Sequence, residues 1–184
     1  MVLSARLCVC SKSANTSQSM TIEDISFSSH PCASGWLAAP DLGLDAALVE
    51  ADALRIGKSA LQQGYFAVCG LLHRDGGYRI FLAPSDDVLA VARVFEVGGH
   101  AADYDPEGQA RALREIAAVQ KQNPLIPFFA DAAGFKARFT NPVTDELTAF
   151  LESTLSDAEP MMDDEDGSIA KYVRTQKGIH LWWD

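Results

Sequence analysis

The sequence predicts a single α+β domain: an antiparallel sheet made of two hairpins, with three to four amphipathic helices packed mainly on one face. Three observations carry this reading. Residues 65–73 and 78–82 are β-rich apolar runs separated by Arg74, Asp75, Gly76 and Gly77, the pattern of two strands joined by a glycine-containing turn. Apolar residues recur at helical spacing in several stretches, each opened by a capping residue or a proline. The chain ends on a third β-rich stretch, residues 169–174 and 178–183 around Thr175, Gln176 and Lys177, which reads as a closing hairpin. At 184 residues and 48% hydrophobic content, one core of ordinary size needs no crosslinks.

Residues 1–19 read as a disordered segment and stand outside the fold; Met20 is a plausible alternative start, and residues 20–184 form the domain. The early apolar stretch is broken by Ser4 and Arg6, so it is not a secretory signal. Residues 25–28 suggest a short strand. Asp41 can cap a helix through Leu44, Leu48, Ala51 and Leu54 toward Leu61, and Gly64 stops it. After the first hairpin, Ser85 is a good N-cap for a helix over residues 86–97, with Asp86 and Asp87 in the first turn where the helix dipole favours anions.

Asp105, Pro106 and Glu107 open the next helix, whose face is Ala112, Leu113, Ile116 and Val119 and whose end is Asn123-Pro124. Residues 125–130 suggest a buried strand weakened by Pro124 and Pro127, and residues 135–139 a short helix or loop. Asn141-Pro142 starts a helix with the stripe Val143, Leu147, Phe150, Leu151 and Leu155.

The net charge of −10 is uneven, because residues 101–184 hold 15 acidic and 8 basic side chains. Asp157, Glu159, Asp163, Asp164, Glu165 and Asp166 follow one another with no Lys or Arg between them. Unpaired carboxylates resist burial, so this run is a surface feature. Its field repels phosphate backbones and anionic lipid, and it speeds encounter with basic proteins. Direct nucleic-acid binding is therefore disfavoured. No apolar run approaches the ~18 residues that span a bilayer, which argues against a membrane protein. Cys8, Cys10, Cys32 and Cys69 complete no zinc-type spacing, and a chain with its own core fits a reducing cytosol.

Few motifs carry chemistry. Gly57-Lys58-Ser59 matches the end of a phosphate-binding loop, but Asp52 stands where that motif needs glycine. Asp164, Asp166 and Gly167 match part of a calcium loop, yet Met162 and Val173 occupy its two most demanding ligand positions. No cofactor or metal is expected. The nucleophile and base types that could form a catalytic set are Cys69, His73, His100, Asp103 and Asp105. Cys69 and His73, four apart on a strand, are separated by about 13 Å, so a triad would need His100 to fold back on Cys69 with Asp103 orienting it. On a terminal strand, Ile179, Leu181 and Trp183 face one way and His180 and Trp182 the other.

These patterns favour a non-enzymatic cytoplasmic interaction protein. It would dock on a basic partner protein through Asp163, Asp164, Glu165 and Asp166, with Trp182 as an aromatic anchor. Its makeup is that of immunity-like or antitoxin-like proteins, or of escorts for secreted proteins. The alternative is a small cysteine-dependent hydrolase or transferase built on Cys69, His100 and Asp103. Nothing in the sequence speaks to self-association.

Overall fold

A computed structural model describes residues 25–30, 33–41, 43–72, 77–99, 106–155 and 169–183. The expected disordered segment, the acidic run Asp163, Asp164, Glu165 and Asp166, and His73, His100, Asp103 and Asp105 lie outside those residues.

The described residues begin with two short strands, β1 (Ser28–Ser29) and β2 (Leu37–Ala38), followed by α1 (Ala46–Gln62). Asp45, not Asp41, caps α1, its carboxylate accepting from the Ala47 N–H at 2.8 Å. Asp41 instead closes its own local turn onto the Gly43 N–H, at 2.8 Å. Strands β3 (Tyr65–Gly70) and β4 (Arg79–Pro84) form the hairpin expected there. Helix α2 (Val88–Val94) is shorter than its apolar pattern and begins after Asp87, which caps it at the Ala90 N–H (3.0 Å); the Ser85 N–H is engaged by Gly64 O.

Helix α3 (Pro106–Gln122) follows, opened by its N1 proline, and buries Ala112, Ile116 and Val119 on one stripe. Its exit is locked by Asn123, whose side chain accepts from the Asn141 N–H (3.0 Å) and donates to the Asn141 carbonyl (3.1 Å). Then come β5 (Leu125–Ala130), β6 (Gly134–Phe139), α4 (Asp145–Thr154, capped by Thr144), α5 (Ile169–Gln176) and β7 (Gly178–Trp182).

The seven strands among the described residues join one sheet in the order β1-β2-β4-β3-β5-β6-β7. The α+β class stands, and the sheet is larger than two hairpins. It is also mixed. β3 and β5 run parallel, paired at Cys69↔Phe129 and Gly70↔Ala130, while the other neighbours are antiparallel. The crossover between them passes through β4, α2 and α3. Pro127, which has no N–H to give a ladder, is tolerated because β3 pairs with β5 only from Phe129 onward and a bulge follows Pro127 on the β6 side.

Two further expectations are corrected. Residues 135–139 form β6 rather than a helix or loop, because Phe135, Ala137 and Phe139 alternate with Lys136 and Arg138 at the period of a half-covered strand. Residues 169–174 are helical, so the closing hairpin does not exist: Ile169, Tyr172 and Val173 share one helical face, and Lys177 ends the helix in a left-handed conformation (φ 53°), its N–H donating to Val173 O at 2.9 Å. β7 pairs with β6 instead.

The sheet buries both faces at its centre. Phe66, Val68, Phe81 and Ala83 point into a large core with α2, α3, α4 and α5, while Ala67, Cys69, Ile80 and Leu82 point into a smaller one under α1. Four of the five helices among the described residues thus share one face. At the parallel junction Gly70 lets the Phe95 ring lie on the strand: a Cβ there would stand 2.2 Å from Phe95 Cε1.

Candidate functional site

α1 packs on β3, β4 and β5. On β6 and β7 the same face is left to Lys136, Arg138, His180 and Trp182, which alternate with the core residues Phe135, Ala137, Ile179 and Leu181. This step in coverage creates a trough beside α1. One part of it is a cleft of about 430 Å³ that includes Glu50, Arg138, Gln176 and His180. The other, about 270 Å³, runs on past Gly57, Lys58 and Leu61, and the two share Leu54, Phe128 and Arg138.

The trough is lined by cations of different availability. Lys136 Nζ lies 2.8 Å from Glu50 Oε2 and 4.9 Å from the centre of the Phe129 ring, so its charge is largely spent inside the fold. Arg138 is exposed, its guanidinium 5.8 Å from the Phe128 ring centre, and no described carboxylate bonds it. Lys58 is likewise exposed on the α1 wall.

A second polar constellation closes the neighbouring β5–β6 turn. Asp131, 8% exposed, accepts from Gly134 N–H (2.7 Å), Ala133 N–H (3.0 Å) and the Tyr78 hydroxyl (2.7 Å). Tyr78 stacks on Phe129 with ring centres 5.9 Å apart. Burial first, and then the hydrogen bond to Asp131, raise the Tyr78 pKa, so its phenol serves here as a neutral donor. The arrangement ties β4 to the hairpin and has the character of a structural clamp.

Cys69 lies under α1 at the sheet centre, fully buried, its thiol 3.7 Å from Ala46 O. Burial, reinforced by the Glu50 carboxylate, pushes this thiol up to about 12. A nucleophilic cysteine needs the reverse, an accessible site that stabilises the thiolate. Trp182 is half-buried with its ring over Gly134, where a Cβ would lie 3.2 Å from Trp182 Cε3. β5 and β6 intervene between it and Cys69, so about 14 Å of sheet separates their strands. Trp183 points to the opposite face and donates to Glu115 at 3.2 Å, as the alternation requires.

The helices flanking the acidic run also belong to that opposite face, since Leu155 and Ile169 pack in the larger core. Of the expected site residues only Cys69 and Trp182 lie among the described residues, and they stand on strands separated by β5 and β6. Lys136, Arg138 and Phe128 were not singled out in the sequence, and Gly57 only as part of an incomplete phosphate-loop motif, although the strict alternation of residues 135–139 marks a strand with one open, basic face. Among the described residues no three His, Cys, Asp or Glu side chains stand together as metal ligands, and no helix is long and apolar enough to cross a membrane.

No protein-family model matches the chain, and neither the curated proteins nor the solved structures include a match.

Proposed function

We propose that the protein is a non-enzymatic docking protein that engages a basic partner protein through Asp163, Asp164, Glu165 and Asp166, in the manner of an immunity protein or an escort. One observation carries this reading. Six carboxylates without an intervening Lys or Arg lie between two helices fastened to the same core, by Leu155 (2% exposed) on one side and Val173 (2% exposed) on the other. Negative charge concentrated in one run on a chain of net charge −10 steers a basic partner and raises its association rate.

α4, which precedes the run in sequence, adds exposed Glu146 and Glu152, while its Asp145 is paired with Arg174 of α5 at 2.6 Å. Glu146 is held below the usual carboxylate range by its own backbone N–H and by Thr144, so it remains charged. β7 is the edge strand, and a partner gripping this edge reaches α5 on one side and Trp182 on the other. In this reading Trp182 is the aromatic contact. The hydrolase or transferase alternative on Cys69, His100 and Asp103 has a buried, electrostatically disfavoured thiolate against it.

The test is affinity capture from a lysate of the source organism, at low and then moderate salt, beside a variant with all four residues as amides. One stoichiometric basic protein, held by the native chain and lost with the variant, supports the reading. Equal capture by both chains, or capture of nothing, refutes it.

A further inference from the structure

The trough beside α1 differs in sign from the rest of the molecule, and its occupant can be argued from three features. The first is its shape. The two contiguous clefts follow α1 from Glu50 to Leu61, about 16 Å of helix, which matches roughly five residues of extended chain. A small anion would fill one end only.

The second is charge. Lys136 is answered by Glu50, but Arg138, at the point shared by both clefts, and Lys58 on the helix wall are exposed with no described carboxylate bonded to either. Between them Leu54, Leu61 and Phe128 offer apolar surface, with Leu61 40% exposed. The third is Gly57. A glycine in the middle of a 17-residue helix weakens that helix, and nothing in the fold requires it, because a Cβ there would meet no atom within 4 Å. It lines the trough, where a missing side chain leaves room for another backbone to approach.

We propose that the trough binds an extended acidic peptide segment of a partner protein, with carboxylates on Arg138 and Lys58, apolar side chains on Leu54 and Phe128, and its backbone passing close to Gly57. The residues of this site are distinct from those of the acidic run and opposite to them in charge.

The probe is a fluorescein-labelled hexapeptide of alternating Glu and Leu, read by anisotropy, with a Lys-for-Glu counterpart and free glutamate as controls. Saturable binding of the acidic peptide alone is expected, weakened about tenfold or more by Arg138→Glu, as reversal of a contact charge should do. Gly57→Leu should weaken it comparably. Melting curves accompany each variant: Gly57→Leu should melt at or above the native temperature because its Cβ position is open, and Arg138→Glu close to it, losing only an exposed contact with the Phe128 ring. Arg138→Glu leaves residues 163–166 intact, so failure here is distinct from failure of the acidic run. Four results would overturn the proposal: no saturable binding, equal binding of the basic peptide, unchanged affinity in both variants, or full competition by glutamate at equal concentration. Self-association of the native chain that Arg138→Glu abolishes would assign the trough to a second copy instead and likewise overturn it.

Discussion

Replacing Asp131 by alanine tests the clamp that joins β4 to the β5–β6 hairpin. The carboxylate accepts three hydrogen bonds of 2.7, 2.7 and 3.0 Å while only 8% exposed. Bonds to a charged acceptor contribute about 1.5–3 kcal/mol each, but the losses do not add. Ala133 is half-exposed and its N–H can turn to water, whereas Gly134 is buried, so its orphaned N–H costs about 1–3 kcal/mol. With about 1 kcal/mol for the Tyr78 hydroxyl, the expected loss is about 3 kcal/mol, or roughly 6–12 °C in Tm for a chain of this size. Asp131→Asn, which keeps acceptors for both N–H groups, should recover most of it. Tyr78→Phe alone should cost about 1 kcal/mol, and the double variant should be less destabilised than the sum by a similar amount. Urea unfolding monitored by circular dichroism measures all four. A loss below about 1 kcal/mol for Asp131→Ala, or strict additivity with Tyr78→Phe, would refute the reasoning.

Other substitutions follow from the same geometry. Gly57→Ala should stabilise the protein by about 0.5–1 kcal/mol in chemical unfolding, because the Cβ enters open space in a helix interior. Lys177→Gly should also stabilise, by about 1 kcal/mol, by relieving the left-handed backbone at φ 53°; a destabilised variant would show that the Lys177 side chain contributes more than the strain costs. Cys69 is raised from 9.0 to about 12 and Tyr78 is raised as well, so both groups lose their protons more readily in the unfolded chain. Their stabilisation is complete below pH 9 and falls as pH rises, by about 1.4 kcal/mol per pH unit for the thiol alone. Unfolding midpoints at pH 8 and 10.5 check the sign, and a midpoint that rises with pH would contradict it. With Cys8, Cys10 and Cys32 replaced by serine, the Cys69 thiol should resist an aromatic disulfide reagent at pH 8 and react at once in denaturant.

The helices and the central hairpin were legible because their signals are local. Ala112, Ile116 and Val119 sit at helical spacing behind Pro106, and residues 65–70 and 79–84 are apolar runs across a glycine turn. The parallel junction of β3 and β5 was not legible, since it depends on Gly70 admitting Phe95 from a helix more than twenty residues away. The end of the chain misled for a different reason. Ile169, Tyr172 and Val173 have high β propensity, and tertiary packing on the larger core overrode it. Sequence alone also could not show that Cys69 is sealed under α1, nor that Arg138 falls where two clefts meet; both follow from which half of the sheet α1 covers.

The central claim is that the acidic run steers a basic partner onto this protein. Its most direct test is the association rate with the captured partner, followed by stopped-flow at low and physiological ionic strength for the native chain and the four-amide variant. The account predicts a rate that falls steeply with salt in the native chain and a slower, nearly salt-independent rate in the variant, with Tm unchanged. Equal rates and equal salt dependence in the two chains would contradict it.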